Sequence, residues 1–273
     1  SNKGPGRSAG PQGSIPDAGR ASGKRSVHAL LFEVEVSALG SRPLRHSMDE
    51  SSDLRMKLRP RCACVDVHTH VVPENFPAYL GSSVGVPWPS MRPADVACHR
   101  HVMISGKHYR TVRDAAWSGP RRLEGMEEMS VDVQVLSPMP ELLSYWLSPK
   151  DARILIRYIN DQIAGIAAIA PQRFVGLGGV PLQDVDLAIA ELEYVTAQLG
   201  FAGVEIASHV NGTSIGDQRF EPFFARAAAL GAAVFVHALR PSGKERIVGD
   251  VPEQIVCFPG DIALAAASMI TGG

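Results

Sequence analysis

Short apolar runs rich in β-branched residues alternate with stretches of helical periodicity along the chain from Cys62 onward. The first run, Ala63-Cys64-Val65-Asp66-Val67-His68, alternates apolar and polar positions and leads into His-Thr-His, the pattern of a half-buried strand. An irregular region rich in Pro, Gly and Ser follows over 71–93. His101-Val-Met-Ile, then Ser105-Gly106-Lys107, then His108-Tyr-Arg-Thr-Val predict a β-hairpin. A helix over 120–129 precedes a second buried run at 131–136. A long helix over 149–170 is opened by Ser148 as cap and Pro149 in the first turn. Three more strands are expected at 174–180, 203–207 and 233–237, followed by helices over 184–199, 221–230 and 260–270 respectively, the first and second of these strands being separated by the helix over 184–199.

Strand–helix alternation of this kind implies parallel βαβ units. Five strands fit either an open doubly wound sheet or part of a closed barrel. A nucleotide-binding open sheet would carry a Gly-rich loop after its first strand, and none is present. Histidines at the C-terminal ends of the first and fifth strands match the face where barrel enzymes keep their chemistry. The expected fold is therefore α/β, a TIM (β/α)8-type barrel truncated after about five strands, with a small β-hairpin insertion after strand 1.

Composition adds a boundary to this picture. Overall the chain has 45% hydrophobic and 20% charged residues and a net charge of −1, which offers nothing to nucleic acid or an anionic membrane. No uninterrupted apolar run reaches the ~18 residues of a membrane span. Residues 1–62 differ, with 11 Lys/Arg against 6 Asp/Glu, and 1–26 are dominated by Gly, Ser, Pro and basic residues. Such a segment has too little to bury to offset its ordering entropy. Residues 1–61 are expected to be disordered or a spurious N-terminal extension, with a transit peptide or a translation start near Met48 or Met56 as the two sources. Residues 62–273 are the barrel domain. Cys62, Cys64, Cys98 and Cys257 show no paired spacing, as reduced thiols of a cytoplasmic protein would not.

His68 and His70, two apart on a strand, face the same side. At the mouth of a barrel that side is the interior, where two imidazoles can hold one divalent cation. Taken alone, the pair reads better as two polar residues bonded to loop backbone, because a motif this short recurs by chance. His237, in Ala233-Val234-Phe235-Val236-His237, ends the fifth strand on the face of Phe235 and makes a shared metal the better account.

Several blocks in order along the chain resemble the amidohydrolase superfamily, and within it the aminocarboxymuconate semialdehyde decarboxylase branch. They are Asp132-Val-Gln-Val-Leu-Ser, Ser144-Tyr-Trp, Phe174-Val-Gly-Leu-Gly-Gly-Val-Pro, Leu199-Gly-Phe-Ala-Gly-Val-Glu-Ile, Ser208-His-Val-Asn and Met269-Ile-Thr-Gly-Gly. The resemblance implies that His68, His70 and His237 are ligands of Zn2+ or another divalent metal. It also implies that Arg110, with Arg113 as the neighbouring alternative, binds a substrate carboxylate, a task suited to a planar guanidinium. Asp66 is read as a structural support, Glu205 and His209 as pocket-lining or supporting residues, and Tyr145 and Trp146 as core or pocket-wall aromatics. His99, His101 and His108 show no closed zinc spacing.

The family's strand-six histidine, the arginine after it and the strand-eight aspartate are not found, so no catalytic residue is assigned. The 211 residues from Ala63 fall short of the ~250 typical of the barrel. The implied activity is a metal-dependent, non-oxidative decarboxylase of an unsaturated or aromatic carboxylic acid, homodimeric when full length. Two alternatives stay open: a hydrolase or hydratase on the same barrel, and an inactive fragment.

Overall fold

The computed structural model describes residues 63–272, and the expected extension over 1–61 lies outside them. Five strands form the main sheet: β1 (Val65–Val71), β5 (Val133–Pro138), β6 (Phe174–Gly179), β7 (Gly203–Ala207) and β10 (Ala233–His237). Their spatial order is the chain order, β1-β5-β6-β7-β10, and every adjacent pair is parallel. A doubly wound sheet reverses its order at a switch point. With no reversal, right-handed crossovers put all the helices on one side and leave the other side as a concave interior. The helices between them are α1 (Gly119–Met129), α2 (Pro149–Ile169), α3 (Val185–Ala197) and α4 (Glu221–Leu230), and each touches the next. The expected partial TIM barrel is present as a curled half-barrel.

Local chemistry sets the helix ends. Ser118, Ser148 and Asp184 each accept a backbone N–H of the first turn of α1, α2 and α3, and α4 stops at Gly231 with φ 64°. Helix α2 turns Leu155, Ile156, Ile159, Ile163 and Ile166 inward at helical spacing. Among them lies Asn160, fully buried. Its amide donates to the Gly179 carbonyl (3.1 Å) and to Glu191 (2.8 Å), and its oxygen accepts the Gly179 N–H (2.8 Å). This ties α2 to the C-terminal end of β6. Gly178 beside it has no room for a side chain: a Cβ would meet Val195 at 2.8 Å and Asn160 at 3.1 Å.

Several boundaries differ from expectation. Strand β1 runs to Val71, because its ladder with β5 continues to Val71↔Pro138 and carries the His-Thr-His inside the strand. The hairpin of β3 (His99–Ile104) and β4 (Lys107–Arg113) turns at Ser105 and Gly106, both at positive φ as a two-residue hairpin turn requires. It is not two-stranded. The region expected to be irregular supplies β2 (Pro89–Pro93), paired antiparallel with β3, so the insertion is a three-stranded sheet. Proline at both ends of β2 is compatible with an edge strand, which needs donors on one side only. A short pair, β8 (His209–Val210) and β9 (Thr213–Ser214), follows β7.

The last helix, α5 (Glu253–Gly272), starts seven residues before the expected position and carries Pro259 inside it. It buries a single stripe, Cys257, Asp261 and Ala265, and Asp261 accepts the Ser208 hydroxyl. Ile255, Val256, Leu264 and Ile270 are exposed, as are Val65 and Val67 on the edge strand β1. Among the described residues α5 is the one helix long and apolar enough to cross a membrane, by length and composition only.

Asn160→Ala removes the clamp between α2 and β6 and strands the Gly179 backbone groups, while Glu191 keeps its pair with Arg157. We expect it to lower stability by about 3 kcal/mol, read as a drop in the urea midpoint with unchanged slope. A midpoint equal to that of the unmodified chain would show that water replaces the amide without loss.

Candidate metal centre

Strands β1 and β10 are the two edges of the five-stranded sheet, yet the curl brings their side chains together. His68 Nε2 lies 3.1 Å from His70 Nε2. The His237 ring centre sits 5.0 Å from that of His68 and 5.1 Å from that of His70. One nitrogen from each of the three falls within 4.8 Å of the others, a set able to hold a divalent metal. Phe235 shares the face of His237, as strand alternation requires, and closes the floor 5.4 Å from the His68 ring.

The Nδ1 atoms of His70 and His237 are engaged elsewhere, which orients those two rings. His70 Nδ1 is 3.0 Å from the Pro138 carbonyl and 3.2 Å from the Ser137 hydroxyl. His237 Nδ1 is 2.6 Å from the Ala238 carbonyl. Burial pushes the His70 imidazole down to about 3, and the neighbouring His237 and His68 push it the same way. His237 is also lowered, first by burial. Both are therefore neutral imidazoles, the form in which histidine ligates a metal.

A polar brace holds β1 from outside the histidine cluster. The buried Arg122 of α1 donates to the His70 carbonyl and to Gln134 (3.1 Å). Gln134 donates to Asp66 (3.3 Å), which accepts the His68 backbone N–H (3.2 Å). Burial lowers the Arg122 guanidinium to about 10, and Asp66 opposes that shift. Asp66 thus supports the strand, in line with its expected role. Arg122 and Gln134 were not singled out from sequence, since their meeting joins positions far apart along the chain.

Glu205, on β7, is fully buried with its carboxylate 3.6 Å from His70 Nδ1. Neither of its oxygens has a well-formed hydrogen bond among the described residues. Burial pushes this carboxyl up to about 8, with the Ser137 hydroxyl pulling the other way. It is a neutral acid over much of the ordinary pH range.

The three histidines open onto a cavity of 540 Å³ that is also lined by Tyr109, Arg110, Glu141, Arg240 and Lys244. Arg110, on β4, is close enough to lower both His70 and His237. Arg113, three residues on, lines a separate surface hollow with Cys98 and Glu124. The geometry favours Arg110 over its neighbour. Tyr145 is core, its hydroxyl taking the Ala207 N–H at 3.3 Å, whereas Trp146 lies under the Arg240 guanidinium at 3.6 Å. His209 braces loop backbone at Gly212 and Arg240. His101 and His108 meet over Thr111, away from the cavity lining. Arg240 and Glu141 escaped the sequence reading. The available signal was the place of Arg240, three residues past the end of a barrel strand.

The buried acid gives the metal-free chain a signed pH response. A carboxyl at 4.5 when unfolded and about 8 when folded favours the native state only while it is protonated. Its contribution is full below 4.5 and is lost as pH rises to 8. The lowered histidines act oppositely, losing stability as pH falls below 6.5. Between pH 6.5 and 8 the acid dominates, so Glu205→Gln is expected to flatten the fall in urea midpoint across that interval. Parallel midpoint curves for both proteins would contradict the buried-acid assignment.

Comparison with known proteins places this chain in a family. The amidohydrolase family model matches residues 65–268. A 2-amino-3-carboxymuconate-6-semialdehyde decarboxylase of Dictyostelium discoideum is 36% identical over 209 residues, covering 77% of this chain and 58% of that protein. The structure of 5-carboxyvanillate decarboxylase from Sphingomonas paucimobilis superposes with a TM-score of 0.50 at 31% identity, covering 55% of this chain and 45% of that one. The Metarhizium anisopliae IDCase, in apo form, shares the fold with a TM-score of 0.61 at 20% identity, over 78% and 62% of the two chains. In none of the three does the match reach two thirds of the relative. Since the family model runs over almost all of the described half-barrel, this chain belongs to the amidohydrolase family.

Proposed function

We propose that the chain carries the metal- and carboxylate-binding part of a non-oxidative carboxy-lyase acting on an unsaturated or aromatic carboxylic acid. The observation that carries this reading is the convergence of three clustered histidines, two of them held neutral, and the Arg110 guanidinium on one cavity. The resemblance to decarboxylases, 36% identical in the Dictyostelium protein, supplies the reaction class. His68, His70 and His237 are the proposed ligands, and zinc is the proposed ion because a set of three imidazole nitrogens suits it. When bound, such an ion supplies Lewis acidity at the floor of the cavity.

The chain's own residues do the rest. Arg110 offers two parallel N–H groups to one carboxylate and so fixes the acid over the histidines. In a decarboxylation the carbon–carboxylate bond breaks, carbon dioxide leaves, and the carbon takes up a proton. None of the described residues is assigned to deliver that proton. The reading extends to a homodimer and to the cytoplasm, where the free thiols Cys64, Cys98 and Cys257 would stay reduced. A second reading, metal binding without turnover, is favoured by the outer sides of β1 and β10, which have no strand partner among the described residues.

Two measurements test these statements. Elemental analysis should find close to one zinc per chain in the unmodified protein and almost none in the His68→Ala/His70→Ala variant; a folded protein that takes up no metal would end the proposal. With metal present, an aromatic or enoic acid should release carbon dioxide, and Arg110→Gln should raise KM by about tenfold or more. Hydrolysed or hydrated acid without carbon dioxide would replace the lyase by a hydrolase or hydratase on the same site.

A further inference from the structure

Arg240 occupies an unusual position for a residue of a surface loop. It follows β10 by three residues and holds φ at 50°, in the left-handed region that a branched or long side chain seldom adopts. Its guanidinium carbon sits over the Trp146 ring, 3.6 Å from the centroid. One edge is spent on Glu141, whose buried carboxylate oxygen accepts both Nε (3.1 Å) and Nη2. A long side chain loses its rotamer freedom in such a clamp. Nothing about neutralising Glu141 demands that loss, because a mobile lysine would supply the charge as well.

What the clamp achieves is direction. Trp146 does not line the cavity of the metal centre, whereas Arg240 does. The ring therefore backs the guanidinium, which faces the open space. Nη1 has no hydrogen-bond partner among the described residues. Arg110 lines the same cavity from the β4 side, and the phenol of Tyr109 stands under the influence of both guanidiniums and of Glu141. Two planar cations thus share one pocket with the three histidines.

We propose that Arg240 is a second anion-anchoring residue of this pocket, selecting acids that carry a second carboxylate beyond the one held by Arg110. The inference rests on the cavity being the site of a carboxylic acid. Its own content is that specificity for the second anionic group is written in this loop of the same chain, by a guanidinium immobilised between Trp146 and Glu141. The aromatic backing and the spent edge leave one donor edge free, the arrangement that reads a carboxylate by direction as well as by charge.

The test is calorimetric titration of the zinc-loaded full chain with benzene-1,3-dicarboxylate and with benzoate at fixed ionic strength. The unmodified protein should prefer the dicarboxylate by about tenfold to a hundredfold, the range of one charge-assisted hydrogen bond. Arg240→Gln should bring that ratio close to one while benzoate binding holds. Because Arg240→Gln leaves Glu141 buried and unpaired, the double variant Glu141→Gln/Arg240→Gln removes both partners together and should show the same collapse. Lys244→Gln removes a positive charge from the same cavity without the clamp, and should lower the ratio by less than half. An unchanged ratio in both Arg240 variants, with Arg110→Gln weakening both acids, would overturn the role of Arg240 and leave the pocket standing. An equal collapse in Lys244→Gln would overturn it in favour of a general field. Failure of either acid to bind the unmodified chain would overturn the carboxylic-acid site and this inference with it.

Discussion

Everything at the candidate centre depends on the curl of one parallel sheet. His68 and His70 stand on one edge strand and His237 on the other, with three strands between them. A flat sheet would hold those edges apart by four interstrand spacings, each ~4.8 Å. Here the ring centres are 5.0 and 5.1 Å apart. Glycines of β6 stand where the outer layer presses closest on the sheet. At Gly176 a side chain would collide with Phe201, and at Gly178 with Val195 and Asn160. Close packing on the convex side and close approach of the edges on the concave side thus belong to one curled sheet.

The same closeness limits the charge that the histidines can carry. Three imidazolium ions so near one another, two of them largely buried, would repel strongly in a poorly solvating cavity. Neutrality of His70 and His237 is the response. Carbonyl groups of Pro138 and Ala238 take the opposite nitrogens of His70 and His237 and so fix which nitrogen is left to the interior. Arg122, Gln134 and Asp66 then hold the backbone of β1 between the two histidines of that strand. Ring orientation and strand position are constrained separately.

The legible parts of the fold were those written in local periodicity. Alternation placed β6, β7 and β10 to within a residue, and Ser148-Pro149 marked the start of α2. The pairing of His68 with His70 followed from the two-residue repeat, and Phe235 with His237 likewise. Three other features depend on contacts that no window of sequence contains. Strand β2 has proline at each end and exists because β3 offers it a free edge. Helix α5 begins before Pro259 although Pro-Gly reads as a boundary; its buried stripe of Cys257, Asp261 and Ala265 sustains the helix through it. Arg240 acquires its place from Glu141, 99 positions earlier, and from the ring of Trp146.

Cations beside a metal site would ordinarily oppose it, and the arrangement of this pocket turns that opposition into a division of labour. Arg110 lowers the proton affinity of both His70 and His237, so the positive field acts on the imidazoles by keeping protons off them. A metal ion competes with protons for those nitrogens, which lessens the penalty that the same field imposes on the ion. Glu141 neutralises much of Arg240, and Glu205, held uncharged by burial, adds little negative charge to the floor. An acid entering the cavity would bring the missing negative charge with it. The proposed site would therefore balance a cation and an anionic acid together, each making the other easier to hold.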